Sequence, residues 1–229
     1  MTIKIHDDLI QGSEEWHAAR CGLLTASEVK LILTPTLKVA NNEKTRAHAW
    51  ELAAQRISDY VEPTYIGEAM LRGHEDEILA RALYSERYNE VRETGFVTND
   101  EFGFVLGCSP DGLVGDDGMI ECKSRIQKYQ VQTIVEEFEG KGIPEEYVLQ
   151  VQAGMLVCRR KWCDFISYSG GLPMAVIRVE ANPEIQDAIL TAATGFEERI
   201  RQIMTDYRAA IAARAYPETE RRVEEEMFV

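Results

Sequence analysis

The sequence predicts an α/β fold in which a central mixed sheet is flanked by helices. Three regions of the chain carry this prediction. Residues 43–60 and 67–86 are rich in alanine, glutamate and arginine, which favour helix. Between residues 94 and 123 the pattern changes to short apolar runs separated by turn residues, which is typical of strands. Residues 183–214 return to helical spacing of apolar residues, as in a helix packed on a core.

The region before residue 90 is predicted to contain three helices. Thr25 or Ser27 can cap a short helix that runs through Leu33, because their hydroxyl groups accept hydrogen bonds from free N–H groups of the first turn. A proline-containing loop at residues 34–37 ends this helix. The second and third helices are expected over residues 43–60 and 67–86.

The mid-chain region is predicted to form short strands. Turn residues at Asn99-Asp100 and at residues 116–118 separate them. Because these connections are short, we expect consecutive strands to pair as one antiparallel meander. The strands are expected at residues 94–97, 103–107, 112–114 and 119–123.

Two helices are predicted to follow the meander. The first begins near Tyr129 and ends before Gly140 or Gly142. The second begins at Pro144, a residue favoured in the first turn, and ends near Cys158.

Two strands and a long helix are predicted to complete the fold. The strands are expected at residues 162–168 and 174–179, and the helix spans about residues 183–214. An apolar stripe of this helix should face the core. It consists of Ile185, Ile189, Ala193, Phe196, Ile200, Ile203, Tyr207 and Ile211.

Length and composition indicate a single domain over residues 1–229, with an acidic tail at about residues 216–229. Hydrophobic residues make up 45% and charged residues 28%, a balance that excludes a largely disordered chain. No apolar run is long enough for a membrane span and the N-terminus has no signal core, so we expect a cytoplasmic protein. The five cysteines are scattered without a CxxC pair, which indicates packed thiols and no disulfide framework or zinc ribbon.

The formal net charge of −14 argues against indiscriminate binding to nucleic acid. Phosphate neutralisation by lysine and arginine supplies most non-specific affinity for DNA. The distribution of charge is more permissive, because Lys123, Arg125 and Lys128 form a local basic track beside the strongest candidate site.

That candidate site combines Asp111 with Glu121 and Lys123. A hairpin centred near Asp116 places Asp111 opposite Glu121, at a Cβ separation of about 5 Å. Strand alternation puts Lys123 on the same face as Glu121 and sends Cys122 into the core. Carboxylates this close repel each other unless a cation lies between them.

Two carboxylates and an ammonium group suit hydrolysis of a phosphodiester. Mg²⁺ takes oxygen ligands, lowers the pKa of a bound water and neutralises charge in the transition state. Lys123 can orient or deprotonate the attacking water. D…ExK spacing often occurs by chance, so on spacing alone an exposed hairpin with a structural lysine–glutamate ladder is the favoured interpretation.

Glu77 is a further candidate ligand. It lies within the predicted inward stripe of the helix over residues 67–86, together with Met70, Gly73, Ala80, Leu83 and Tyr84. A carboxylate on such a stripe needs a metal, a basic group or water as partner. The alternative is a glutamate that reaches solvent from the helix face. Glu75 points away from the stripe, and His74 is expected at the surface because no second histidine completes a zinc motif.

The sequence resembles YqaJ-type viral recombinases, the family of phage lambda exonuclease, within the PD-(D/E)xK nuclease superfamily. The resemblance covers most of residues 10–168 and implies a restriction-endonuclease-like fold. It is carried, in order, by residues 11–22 with 25–29, 73–84, 108–113, 121–123 and 147–152.

The resemblance implies a role for each residue of the candidate site. Asp111, Glu121 and the main-chain carbonyl of Cys122 would hold Mg²⁺, two ions in all, with Mn²⁺ able to substitute. Glu77 would be a further acidic group near the metals. The remaining catalytic positions would be the lysine Lys123 and the supporting polar residue Gln150.

The resemblance also implies a pocket for a terminal 5′-phosphate, built from Arg20, Ser27 and Ser109. A guanidinium fork and hydroxyl groups suit this ligand. Without the family, Arg20 would be an ordinary surface arginine and Ser27 a helix cap. Trp16 is expected to pack in the core.

Members of this family are ring-shaped homotrimers that thread linear double-stranded DNA. The resemblance therefore implies processive 5′-to-3′ digestion to mononucleotides, which leaves a 3′ strand for a single-strand annealing protein, in the cytosol of a bacterium carrying the phage or prophage. A ring would hold DNA despite the acidic surface. Two alternatives stay open: a related nuclease that is endonucleolytic or of other polarity, and a non-catalytic scaffold that binds DNA ends.

Overall fold

The structure is a computed structural model that describes residues 2–63 and 67–221. Most of the predicted acidic tail, residues 222–229, lies outside the described residues. The strands are β1 (Ile3–His6), β2 (Leu24–Thr25), β3 (Phe96–Asn99), β4 (Leu106–Cys108), β5 (Gly112–Val114), β6 (Gly118–Ser124), β7 (Trp162–Tyr168) and β8 (Ala175–Glu180). The helices are α1 (Glu14–Arg20), a 3-10 helix (Ala26–Leu31), α2 (Glu43–Ser58), α3 (Glu68–Arg87), α4 (Gln127–Phe138), α5 (Glu145–Cys158) and α6 (Pro183–Ala213).

The strands form two mixed sheets flanked by helices, which confirms the predicted α/β class. The first sheet has the order β1-β3-β4-β2, in which only the β2–β4 pair is parallel. The second has the order β5-β6-β7-β8, in which only the β6–β7 pair is parallel. The prediction of one mid-chain meander was wrong, because β3 and β4 belong to the first sheet and β5 and β6 to the second.

The chain changes sheets between Cys108 and Gly112. Pro110 lies at the centre of this connection and has no N–H group with which to continue the ladder of the first sheet. The change of sheet places Ser109 at the end of one sheet and Asp111 at the start of the other. Two candidate functional residues are thereby brought to the junction of the sheets.

Helix α5 runs beneath this junction and contacts both sheets. On one face of the second sheet, Met155 of α5 packs against Met119 and Phe165. On the opposite face, Tyr84 of α3 packs against Ile120 and Ile166. The strand β6 is therefore enclosed between α5 and α3, which fixes the side chains at its end.

The largest apolar cluster packs α2, α5 and α6 against the first sheet. Helix α6 buries Ile189, Ala193, Phe196, Ile200 and Ile203, as its stripe predicted. Tyr207 and Ile211 were predicted to be inward but are exposed at 45% and 43%. A helix of 31 residues is about 46 Å long, so its last turns extend beyond the core.

The predicted helices and strands differ from the observed ones mainly at their ends. Thr25, not Ser27, is the N-cap of the 3-10 helix, and Pro144 is the N-cap of α5 rather than its first residue. Met70 was predicted to face inward on α3 but is 57% exposed, because only the later turns of α3 pack on β6. The sequence had given no expectation for β1, α1 and β2.

Two further expectations concern the cysteines and membranes. All five cysteines are free thiols, and all except Cys21 are buried. Among the described residues, no helix is both long and apolar enough to cross a membrane.

Candidate active site

The β5–β6 hairpin brings the acidic residues together. Gly112 pairs with Ile120, which places the preceding Asp111 beside the following Glu121. Asp111 Oδ2 accepts a hydrogen bond from the main-chain N of Cys122 at 2.5 Å. The Cys122 side chain points to the opposite face, where it packs in the apolar cluster beneath α3. This is the arrangement that the ten-residue spacing predicted.

Lys123 and Gln150 both reach the same oxygen of Glu121. Lys123 Nζ lies 2.5 Å from Glu121 Oε1, and Gln150 Nε2 of α5 donates to that oxygen at 2.5 Å. The ammonium group also lies 5.4 Å from the ring centroid of Tyr147. Glu121 is therefore held by two donors, one from its own strand and one from α5.

Negative charge exceeds positive charge in this cluster. Asp111 and Glu121 are only 8% and 3% exposed. Burial raises the pKa of Asp111 well above its usual range, and the nearby Glu121 and Glu77 raise it further, although Lys123 opposes them. Burial lowers the pKa of Lys123, but Glu121 and Asp111 outweigh burial and raise it. Two buried carboxylates thus share one ammonium group.

Glu77 lies on α3 beside this cluster but its carboxylate is engaged elsewhere. Its Oε1 accepts from Arg81 Nη1 at 2.8 Å, one helical turn along. Arg81 Nη1 also donates to the main-chain carbonyl of Asp111 at 3.1 Å, and Nη2 lies 3.1 Å from Glu93 Oε2. Arg81 thus joins α3 to the start of β5. Glu75 and His74 are exposed, as predicted.

The donor set can be tested against a divalent ion. Among the described residues, no three acidic, histidine or cysteine side chains converge in a ligating arrangement. The donors that do converge are the carboxylates of Asp111 and Glu121, and both supply the oxygen ligands that Mg²⁺ prefers. Their burial without a second cation is electrostatically unfavourable. A divalent cation fits this site because it would remove that imbalance.

A second cluster contains the residues predicted for the 5′-phosphate. Arg20 Nη1 lies 3.4 Å from Ser109 Oγ, and Nη2 lies 3.3 Å from Thr25 Oγ1. Thr25 Oγ1 in turn lies 3.2 Å from Ser27 Oγ. The three predicted residues therefore share one hydrogen-bonded cluster, joined through Thr25. Because Ser109 and Asp111 flank Pro110, this cluster adjoins the acidic one.

Trp16 organises this second cluster, a role that sequence reasoning missed. Its indole N–H donates to Ser109 Oγ at 2.9 Å and to the carbonyl of Gly95 at 3.1 Å. The guanidinium of Arg20 lies 4.1 Å from the centroid of its ring. Trp16 is half-buried, so the expectation of a core residue was wrong. The helical separation of four positions between Trp16 and Arg20 was the available signal.

Arg81 was also missed, although it follows Glu77 by four positions in a predicted helix.

The predicted local basic track of Lys123, Arg125 and Lys128 is not a continuous exposed surface. Arg125 is 8% exposed and its Nη1 lies 2.8 Å from Glu146 Oε1. Lys128 remains exposed.

Comparison with known proteins places this geometry in a family. The profile of the YqaJ-like viral recombinase domain matches residues 15–161, a span that contains both clusters. The chain belongs to the YqaJ-like viral recombinase family. The resemblance seen in the sequence is therefore confirmed.

One relative in this family is an uncharacterised protein, YqaJ of Bacillus subtilis (strain 168). It is 25% identical over 206 residues, which cover 86% of this chain and 60% of the relative. The chain thus spans about 60% of the length of the curated relative it matches.

Solved structures show the same fold. The alkaline exonuclease LHK-Exo from Laribacter hongkongensis is 32% identical with a TM-score of 0.76, over 88% of this chain and 99% of that one. LHK-Exo has also been solved in complex with dAMP, with the same similarity. A phage-related exonuclease from Haemophilus somnus 129PT shares the fold at 14% identity and a TM-score of 0.63, over 81% of this chain and 96% of that one.

Proposed function

We propose that this YqaJ-like protein is a Mg²⁺-dependent exonuclease that degrades the 5′-ended strand of linear double-stranded DNA to 5′-mononucleotides. The observation that carries the proposal is the adjacency of two clusters across Pro110. One has an excess of buried carboxylate, and the other presents a guanidinium group with hydroxyl groups. Family membership and similarity to an alkaline exonuclease support nuclease activity.

Each residue of the acidic cluster has a proposed part in hydrolysis. Asp111 and Glu121, with the carbonyl of Cys122, would hold Mg²⁺, and Glu77 would join them on release from Arg81. The bound ion would supply an activated water and neutralise charge on the phosphate. Gln150 fixes the Glu121 carboxylate in place. Lys123 either orients or deprotonates the attacking water and stabilises the charge that develops.

The phosphate cluster accounts for the proposed direction. Arg20, Ser27 and Ser109 would bind a terminal 5′-phosphate and so place the first phosphodiester bond at the acidic cluster. Release of one nucleotide creates a new 5′-phosphate, which can occupy the same pocket. Repeated cleavage from the 5′ end follows from this arrangement.

We further propose a ring-shaped homotrimer that encloses the duplex and delivers the 3′ strand to an annealing protein. Exposed apolar side chains on α3 support an interface between copies. They are Met70, Leu71, Ile78 and Leu79. A ring would hold DNA topologically, which suits a chain with a net charge of −14. Light scattering should then give three times the mass of one chain.

One experiment tests the proposed activity. Purified protein with Mg²⁺ is given end-labelled linear duplex and closed circular duplex. We expect mononucleotides from the 5′-phosphorylated linear substrate and no cutting of the circle. Cleavage of the circle would indicate an endonuclease, and loss of label from 3′ ends first would indicate the opposite polarity. No product from either substrate, with no Mg²⁺ binding by calorimetry, would favour a scaffold.

A further inference from the structure

A cavity of about 380 Å³ lies at the carboxyl ends of the parallel strands β6 and β7. It is lined by residues from α3, from the start of α4 and from the loop after β7. Asp111, Glu121 and Lys123 are not part of its lining. The residues that matter are Arg72, Asp76, Arg125, Gln127, Ser169 and Gly170.

Arg125 lines this cavity and has an unused hydrogen-bonding edge. Its Nη1 donates to Glu146 Oε1 at 2.8 Å and to Tyr147 Oη at 2.7 Å. Its Nε is buried and has no hydrogen-bond partner within the part of the chain that the structure describes. Nε and Nη2 lie along one edge of a guanidinium group, the edge with which Arg178 binds both oxygens of Asp164.

The side chain of Arg125 is only 8% exposed, so an unpaired donor on it is unfavourable. Its free edge matches two oxygens of one oxyanion, such as a phosphate group. The ligand would complete the hydrogen bonding that the protein leaves open.

The start of α4 adds a second, independent feature. Its N-cap residue Ile126 provides no side-chain hydrogen bond, and no acidic residue lies in the first turn. The first N–H groups of this 12-residue helix therefore lack a side-chain acceptor. Helix N-termini with free N–H groups attract anions. Gln127, at the start of the helix, lines the cavity.

Arg72 and Asp76 define which anion suits the cavity. Within the described residues, the Arg72 side chain makes one hydrogen bond, from Nε to Ser124 Oγ at 3.4 Å. Asp76 accepts from the same hydroxyl at 2.5 Å. Because Asp76 is a carboxylate in the wall, it disfavours a doubly charged phosphate monoester more than a singly charged diester.

The cavity is close to the proposed catalytic lysine. Lys123 Nζ and Arg125 Cζ lie 5.4 Å and 5.3 Å from the centroid of the same Tyr147 ring. Residues two apart on a strand are separated by about 7 Å. A strand with its scissile phosphate at the acidic cluster can therefore reach this cavity with a neighbouring phosphate.

We propose that the cavity is a second phosphate site, which binds a backbone phosphodiester of the strand being cut. This inference rests on the proposed exonuclease function. The two guanidinium groups and the start of α4 hold the diester, and Tyr147 links its position to that of Lys123. The site would keep the cut strand in register between successive cleavages.

The test is a phosphate scan on the protein of residues 1–229. Duplexes carry one neutral methylphosphonate at successive positions from the 5′ end, and affinity is measured by anisotropy without divalent cation. At one internal position, the methylphosphonate should lower the affinity of the wild-type protein for the duplex about tenfold. The Arg125→Gln and Arg72→Gln variants should bind the duplex with this methylphosphonate and the unmodified duplex with equal affinity. The control Arg87→Gln, at the distant end of α3, should behave as wild type.

The outcomes are separable. If both variants keep the wild-type sensitivity at every position, the second phosphate site is wrong. If the two variants change only the ability of 5′-dAMP to compete with the duplex, the cavity binds the mononucleotide product, and the proposal that it binds a phosphodiester is wrong. Arg72 is exposed, so its variant tests the site even where Arg125→Gln fails to fold. If the variants lose sensitivity to the methylphosphonate but the wild-type protein has no nuclease activity, the proposed exonuclease function is wrong and the phosphate site stands. If the wild-type protein is an exonuclease but the variants keep that sensitivity, the exonuclease function stands and the phosphate site is wrong.

Discussion

The Arg56–Glu197 pair between α2 and α6 and the Asp111–Glu121–Lys123 cluster at the junction of the sheets both bury charge, but only the first balances it. Arg56 Nη1 and Nη2 each lie 2.7 Å from one oxygen of Glu197, and Arg56 Nε donates to the carbonyl of Gly22 at 2.7 Å. Every charge in this pair has a partner of opposite sign.

The acidic cluster has the opposite character. Burial, and after it Glu121 and Glu77, raise the pKa of Asp111 well above its usual range, although Lys123 and the N–H group of Cys122 oppose them. When buried charges are paired within the chain, removal of one partner destabilises the fold, because the other charge is left buried without compensation. Buried charges left unpaired lower stability and are retained where a ligand completes them. The comparison therefore separates a structural ion pair from a candidate active site.

The largest effect is expected from Lys123→Ala. Loss of an ammonium group next to the reacting phosphate should reduce cleavage at least about 10³-fold. Duplex binding should survive, because the phosphate contacts proposed for Arg20, Ser27 and Ser109 lie in the second cluster. Initial rates and anisotropy measure the two properties, with the exposed Lys161→Ala as control. Equal losses of binding and cleavage would assign Lys123 to DNA binding instead.

Arg56→Met should have the largest effect on stability. It leaves Glu197, 3% exposed, without its partner, and the free energy of unfolding should fall by about 3 kcal/mol. Urea denaturation measures this change. Arg56→Met combined with Glu197→Leu should recover much of the loss, because no buried charge then remains. A double variant as unstable as the single one would mean that the Gly22 contact, not the charge, is what matters.

Asp111→Asn should stabilise the protein without metal, by about 1–2 kcal/mol at neutral pH. An acid whose pKa is raised by folding favours the folded state when protonated, so wild-type stability should fall as pH rises above the unfolded value of 3.8. This fall should be smaller in the variant. Thermal melts between pH 4 and about 8 test the prediction.

Addition of Mg²⁺ provides the complementary measurement for Asp111. The ion should raise the melting temperature of the wild-type protein and have little effect on Asp111→Asn, because binding stabilises only a protein that can hold it. Equal stabilisation of both proteins by Mg²⁺ would place the ion elsewhere.

Arg20→Ala should act on the phosphate cluster alone. It should remove most of the preference for 5′-phosphate over 5′-hydroxyl ends, an effect of about tenfold. Competition between the two substrates in one reaction measures the preference. Arg46→Ala, an exposed change on α2, serves as control. An unchanged preference would remove Arg20 from the pocket.

Trp16→Phe should give the smallest effect. Phenylalanine keeps a ring beneath Arg20 but loses the N–H group that donates to Ser109 Oγ. The preference for a 5′-phosphate should fall about threefold, with unfolding little changed. The same competition assay detects this. A loss as large as that in Arg20→Ala would mean that Trp16 contacts the substrate itself.

The candidate site was predictable where its geometry is local. The ten residues between Asp111 and Glu121 fix a hairpin, and strand alternation then puts Lys123 beside Glu121 and Cys122 in the core. Helical spacing located Glu77 correctly on α3, but its pairing with Arg81 went unnoticed. The roles of these residues remain predictions.

The less local features were not predictable in this way. The sequence predicted the strands of the meander, but their pairing depends on which sheet each strand joins. The alternation of apolar and polar residues along a strand carries no information about sheet membership. Tyr207 and Ile211 continue the stripe of α6 although no core lies opposite them. Periodicity reports which face is apolar, and only the packed chain decides how far that face is covered.

The sequence by itself determined the α/β class, the family and the hairpin that holds Asp111, Glu121 and Lys123. The class and the hairpin depend on local spacing, which acts over a few residues, and the family depends on the order of short motifs over most of residues 10–168. Only the tertiary structure decided that β4 and β5 enter different sheets, that Trp16 donates to Ser109, and that the unpaired Nε of Arg125 is buried beside a cavity. These contacts join residues far apart in the chain, so burial and hydrogen bonding, not spacing, determine them.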